Sequence, residues 1–372
     1  MRLGKHSMII IIGSLILITL LISAWIGYLK TSPQHLVDQL TTAVKNKDAA
    51  QLRPLLVSGN DNKGITKSSA QALLTYLRAH KDNYQEVKSS LTKQAKTKNP
   101  QTGSVLSIVQ TGRTFIYKAY KLKLHPQTIT VSGLREGDVL AINANERGIK
   151  RNGEHFGPIL PGTYVIQKQL TNELGVFIKK EKITVWDQPL SINADSAGWM
   201  KTDEDLQKQI VERINQFNTE VSDWETSGYN PAKLPSTTKT FGQSQSAIKI
   251  VQFAKLKKKI DEIQSAYRGM IVDPESLTLT HFGDHWNVSV DTVVSYTYAY
   301  TLKSDKQMRD ASYQRGITFR LIYDSEQKRW LVSGISDNFI NAQTASGWEH
   351  KKEVTIPDPI KRVWPPEKEP NL

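Results

Sequence analysis

The sequence predicts an α+β multidomain chain: one transmembrane helix, a small helical domain, one or two β-sandwich-like modules and a C-terminal α+β cone. Three observations predict it. An uncharged apolar run fills Met8 to Leu29. Apolar residues recur every three or four positions in two later stretches, and between and after those stretches the period falls to two.

The apolar run, MIIIIGSLILITLLISAWIGYL, has the length that about 20 residues need to cross the hydrocarbon core. Arg2 and Lys5 precede it and predict a cytoplasmic tail over 1–7, with the bulk of the chain outside. Trp25 and Tyr28 fall at the headgroup level of the outer end. A cleaved signal peptide would carry a shorter apolar stretch and small residues at a cut site. The helix over 8–29 is therefore predicted to be retained as a single-pass anchor.

A helical domain is predicted over 32–100. Leu36, Val37, Leu40 and Val44 form one stripe, and Ala70, Leu73, Leu74 and Leu77 another, continued by Tyr84, Val87 and Leu91. Asp48 and Gln51 read as a capping box, Pro54 as a helix limit, and Gly59 to Gly64 as a turn. Lys96 to Gly103 reads as a polar link. A β-rich region is predicted over 104–189. Ile116, Tyr120, Leu122 and Leu124 alternate, with Phe115 and Tyr117 on the other face, so a bulge is expected. Further strands follow at Thr128 to Val131 and Val139 to Ile142. Gly157 to Tyr164 reads as a turn into a hairpin of Tyr164 to Thr171 and Val176 to Trp186.

The cone is predicted over 200–340. Thr202 and Asp205 read as a capping box opening a helix striped by Leu206, Ile210, Ile214, Phe217, Val221 and Trp224. After a loop from Gly228 to Gly242, a second helix is expected to carry Ile250, Phe253, Leu256, Ile260, Ile263 and Tyr267. Strands follow at Trp286 to Leu302, Ile317 to Tyr323 and Arg329 to Ser333. The stretch 346–372, with Pro357, Pro359, Pro365 and Pro366, reads as an extended tail.

The chain has 372 residues, no cysteine and a net charge of +13. The lack of cysteine excludes disulfides, thiol catalysis and Cys-ligated zinc. The basic balance suits anionic partners outside the cell, such as lipid headgroups or wall polymers, or equally a solvated surface with excess lysine. With the anchor in place, nucleic acid is not an expected partner. No nucleophile elbow, Walker motif, dinucleotide fingerprint or HExxH occurs. His281 and His285 bracket Asp284 at a turn, too few ligands for a zinc site. No catalytic residue, metal or cofactor is therefore expected, and no enzyme activity. Two groups remain as candidates. Trp286, Tyr296, Tyr298 and Tyr300 share a strand face and could bind a ligand, or simply pack on the helices. Lys255, Lys257, Lys258 and Lys259 could contact an anion, or form a solvated helix face.

The stretches Leu55 to His80 (LLVSGNDNKGITKSSAQALLTYLRAH) and Gly157 to Leu170 (GPILPGTYVIQKQL), in this domain order, resemble the TcaA family of Gram-positive envelope proteins. The C-terminal part resembles the nuclear-transport-factor-two-like domain that ends those proteins. Members often begin with a zinc ribbon bearing two Cys-x-x-Cys pairs, and this chain has no cysteine to build one. The resemblance implies a wall-facing protein connected with envelope stress or the response to glycopeptide antibiotics. The anchor, the modular ectodomain and the missing catalytic constellation favour a binding or scaffolding role, with a docking subunit of a secretion or wall-synthesis complex as the alternative. An enzyme using the cone as a pocket is the least favoured reading.

Overall fold

The computed structural model describes residues 17–19, 28–29, 31–59, 63–97, 105–114, 117–145 and 147–365. The predicted membrane helix over 8–29 lies outside these except for 17–19 and 28–29. Among the described residues no helix is long and apolar enough to cross a membrane. The chain divides into two compact units, 1–194 and 195–372.

The first unit opens with helix α1 (Pro33–Asn46), which Ser32 caps by accepting from the His35 amide. Asp48 caps the short α2 (Ala49–Leu52) by accepting from the amides of Ala50 and Gln51, and Pro54 converts its end to a 3-10 turn. Then come β1 (Leu56–Ser58) and β2 (Lys63–Gly64), followed by α3 (Lys67–Ala79) and α4 (Lys81–Lys96). The predicted stripes are buried: Leu36, Leu40, Leu73, Leu77 and Leu91 share one core.

That core is not purely helical. Strands β3 (Leu106–Thr114) and β4 (Tyr117–Leu124) form a hairpin, and β1 pairs parallel with β4, Leu56 opposite Leu122. The sheet order is β2-β1-β4-β3, so pairing crosses the link predicted near residue 100. Leu122 and Leu124 are buried against the helices; Phe115 and Ile116 lie outside the described residues. The expected irregularity falls in β3, between Gln110 and Gly112.

Eight further strands complete the unit. They are β5 (Gln127–Ser132), β6 (Val139–Ala144), β7 (Arg147–Gly148), β8 (Arg151–Asn152), β9 (His155–Ile159), β10 (Gly162–Asn172), β11 (Gly175–Val185) and β12 (Leu190–Asn193). They make two four-stranded sheets, β11-β10-β6-β7 and β12-β5-β9-β8. Gly157 to Ile159 already belong to β9, so the predicted turn shrinks to Leu160 and Pro161. The Tyr164 hydroxyl donates to the Leu160 carbonyl at 2.7 Å and fixes that corner. A Cβ on Gly162 would stand 2.7 Å from the Ala72 carbonyl carbon, so glycine lets β10 lie directly on α3.

The second unit starts with α5 (Ser196–Met200) and the long α6 (Glu204–Thr226). Asp203, not Thr202, caps α6 by accepting from the Leu206 amide. Leu206, Ile210, Ile214 and Phe217 are buried as the stripe predicts. Helix α7 (Lys239–Leu256) begins inside the predicted loop, capped by Thr238. It then stops early. Ile260, Ile263 and Tyr267 belong to strand β13 (Ile260–Val272) and not to the helix. The spacing of three from Ile260 to Ile263 comes from the register shift at 260/262, and the spacing of four from Ile263 to Tyr267 is two steps of ordinary strand alternation. On α7 itself Phe241, Ser246 and Phe253 are buried, while Ile250 and Leu256 face solvent.

The sheet continues with β14 (Thr278–Phe282), β15 (His285–Leu302), β16 (Met308–Asp310), β17 (Tyr313–Asp324) and β18 (Arg329–Asp337). After the short α8 (Ala342–Ser346) the stretch predicted to be an extended tail returns as β19 (Lys352–Thr355) and β20 (Arg362–Trp364). Both pair antiparallel with β13, giving the order β18-β17-β15-β13-β19. Pairing to a distant edge leaves no local signal.

A candidate acid and tyrosine site in the C-terminal domain

Helix α6 carries two stripes. Beside the apolar one, Asn218, Ser222 and Glu225 follow at spacings of four and three, so they share a face. Asn218 and Ser222 are buried at 1% and 3% exposure. The helix ends at Thr226, and Gly228 and Tyr229 then take left-handed backbone, with φ of 74° and 67°. Such a conformation is costly for a tyrosine. It sets the Tyr229 ring edge-on to Trp224 (4.8 Å) and Phe253 (5.5 Å).

The sheet supplies the facing wall through its register. Tyr267 on β13 stands opposite Tyr296 on β15, which stands opposite Tyr313 on β17. One row across three strands is therefore tyrosine. In the next row Ser265 stands opposite Tyr298. Neighbouring rings pack at 5.4 Å for Tyr267 with Tyr296 and 5.2 Å for Tyr296 with Tyr313. The Tyr296 hydroxyl donates to Asn218, with its Oδ1 at 2.9 Å and its carbonyl at 3.0 Å.

Glu225 reaches into this wall. Ser265 Oγ donates to its Oε2 at 2.8 Å. The carboxyl is enclosed although the residue keeps some exposure. Burial pushes its pKa up to about 7, against smaller opposite pulls from the Ser265 bond and the charge of Lys249. Burial also raises the phenols of Tyr229, to about 12, and of Tyr296, Tyr298 and Tyr313, and the Glu225 charge adds to the rise in each. The Tyr267 hydroxyl is buried without a hydrogen-bond partner. Near neutral pH the arrangement thus offers a carboxyl that can take either charge state among neutral hydroxyls.

The sequence candidates are split. Tyr296 and Tyr298 belong to this site, and Tyr298 and Tyr300 pack on Phe253, Ile260 and Ile263. Trp286 shares their strand face but sits ten residues earlier on β15, roughly 30 Å along the strand. There it is buried beside His281, with ring centroids 5.1 Å apart. Lys255, Lys257, Lys258 and Lys259 are all exposed at the end of α7 and in the turn after it. Cations there suit the helix C-terminus. Among the described residues no three or more His, Cys, Asp or Glu side chains gather as a metal site would require. Glu225, Tyr229, Ser265, Tyr267 and Tyr313 were not among the sequence candidates. The polar stripe on α6 was the signal that could have found Glu225.

Comparison with known proteins matches this architecture. The model of the TcaA protein second domain matches residues 33–124, the stretch that spans α1 to β4. The model of the YvbJ NTF2-like domain matches residues 210–336, from α6 into β18. These two matches support a TcaA-like reading of those stretches. The membrane protein YvbJ of Bacillus subtilis (strain 168) is 31% identical over 157 residues, which cover 41% of this chain and 25% of that protein. The chain thus spans about a quarter of the length of the curated relative it matches. The TcaA second-domain match explains why β1 and β4 pair across the predicted link: helices and hairpin are one family unit.

Proposed function

We propose that this TcaA-like chain is a membrane-anchored extracytoplasmic binding protein of the Gram-positive envelope, acting in envelope stress or the glycopeptide response without catalysing a reaction. The observation that carries the binding role is the Glu225 site. Its buried carboxyl accepts a hydrogen bond from Ser265 and acts on the phenols of Tyr229, Tyr296, Tyr298 and Tyr313. Among the described residues it has beside it no activated nucleophile or second acid–base group of the kind that chemistry would use. The anchor reading is supported by the uncharged run Met8 to Leu29 and by the membrane-protein relative. The net charge of +13 favours anionic wall polymer as surroundings.

The test is retention of residues 32–372 on isolated walls, lipid II, teichoic acid and immobilised glycopeptide. Retention on at least one, weakened in Glu225→Gln, supports the reading. No retention on any of them removes the direct wall-ligand role.

A second reading, a docking subunit of an envelope complex, is favoured by a different feature. Ile248, Ile250, Val251 and Leu256 on α7 are 43% to 62% exposed. Crosslinking in intact cells separates the two: capture of a membrane protein partner through α7 supports docking.

A further inference from the structure

Helix α7 presents a second apolar face to solvent. Gly242, Ser246 and Phe253 turn inward, where Trp224 Nε1 donates to Ser246 Oγ at 2.8 Å. On the opposite side Ala247, Val251 and Ala254 follow at spacings of four and three, with Ile248 beside them. All four are exposed, Ile248 at 54% and Val251 at 62%. Lys255 continues this face, four residues after Val251. The turn after the helix adds Lys257, Lys258 and Lys259. The Lys303 amide donates to the Lys259 carbonyl at 2.9 Å, which brings Lys303 to the same end of the sheet. These lysines are exposed, and among the described residues none enters an ion pair; the acids beside them are taken, Asp261 by Lys306 at 2.7 Å and Asp305 by Arg309. Leu256 and Met308 are exposed at this end as well. We propose that this face of α7, with the lysine cluster at its end, docks on the surface of a bilayer containing anionic phospholipid.

Charge alone would suit any polyanion, and the apolar residues decide for a bilayer. Ile248, Val251 and Leu256 gain by leaving water only where the partner offers an apolar layer beneath its charges. A phospholipid interface does so and a soluble phosphate polymer does not. Lysine suits this position, because its apolar stem can lie along the acyl boundary while its ammonium reaches the phosphates. Its flexible point charge also matches a fluid array of phosphates better than a fixed set of carboxylates on a protein partner. An anionic leaflet adds about fivefold in binding for each lysine near it.

An anchor at Met8 to Leu29 keeps a bilayer within reach, so docking rests on the anchor reading, and two labels keep the readings apart. The chain has no cysteine, so one introduced cysteine takes one label. The full chain carrying Val251→Cys and an environment-sensitive fluorophore is placed in nanodiscs of phosphatidylcholine with about one third phosphatidylglycerol. A second protein, labelled through Leu17→Cys, reports on the apolar run in the same discs. The Val251 label should shift to the blue and be quenched by a lipid-borne quencher. Both effects should fade in discs of phosphatidylcholine alone, and in about 1 M salt, where the Debye length falls to about 3 Å. Glutamine in place of Lys255, Lys257, Lys258 and Lys259 should weaken docking about fivefold for each lysine removed, read as the fraction of label in the bilayer. A Val251 label that stays in water while the Leu17 label is inserted overturns the proposal, keeps the anchor and leaves this face to a protein partner. A docked Val251 label beside a Leu17 label in water keeps the proposal and removes the anchor; both labels in water remove both. Equal docking on phosphatidylcholine alone, docking unchanged by the lysine variant, or the same shift with soluble poly(glycerol phosphate) in place of anionic discs also overturns the proposal.

Discussion

Glu225 adds a pH-dependent contribution to the stability of its domain through one buried carboxyl. Its folded pKa of about 7 lies above the ordinary carboxyl value of 4.5. The interior prefers the protonated form, so its favourable contribution is full below about pH 4.5 and is lost as pH rises through about 7. Across that interval the wild type should lose roughly 2–3 kcal/mol that Glu225→Gln does not. Urea unfolding at pH 5 and pH 8 checks this; parallel curves for both proteins would refute it. Tyr296→Phe tests a second residue. It removes the donor to Asn218, itself buried at 1% exposure, and should cost about 1–2 kcal/mol by the same measurement. How legible these residues are depends on which strand carries them. Tyr296 and Tyr298 stand out because β15 alternates cleanly. Ser265 and Tyr267 are hidden because β13 is bulged and reads as a helix. Glu225 is hidden because an acidic residue next to Trp224 on an amphipathic helix reads as solvated. Only its alignment with Asn218 and Ser222 marks it as facing inward.

Elements that owe their form to local spacing are legible in sequence: the stripes of α1, α3 and α6, the Asp48 cap and the hairpin of β10 and β11 all stand where periodicity puts them. Elements that owe their form to distant partners are not. Strand β1 is three residues long and exists because β4, some sixty positions later, pairs with it. The C-terminal strands exist because β13 offers an edge. That edge depends on Gly269, whose φ of +132° and lack of a side chain let β19 close on it. A Cβ there would collide with the Val354 carbonyl oxygen. Gly269→Ala should therefore displace β19 and cost about 2 kcal/mol or more. Hydrogen exchange of the amides in 352–355 is the direct readout. Protection should fall there while α6 stays protected. Unchanged protection would mean that the strand is held by something other than its fit on Gly269.

At the scale of the whole molecule, the two units have separate cores, and the second is closed by its own terminus. Its helix α6 packs on the sheet through Phe217 and Phe319, with ring centroids 5.7 Å apart, and Trp224 Nε1 donates to Ser246 Oγ at 2.8 Å to tie α7 to α6. Strands β19 and β20 cover the β13 edge, and Trp364 on β20 packs on Phe253 at 4.9 Å. An uncovered edge strand is a template for pairing with another chain. Two fragments should then behave oppositely. Residues 195–372 made alone should fold, unfold in one cooperative step and keep the pH-dependent stability set by Glu225. Residues 195–349, which lack β19 and β20, should expose β13 and lose the Trp364 contact that walls the tyrosine site, and so aggregate or unfold at lower urea. Circular dichroism with analytical ultracentrifugation measures both. A soluble, monomeric 195–349 fragment with the stability of 195–372 would show that the terminal strands are an appendage and not the closing edge of the domain that holds the site.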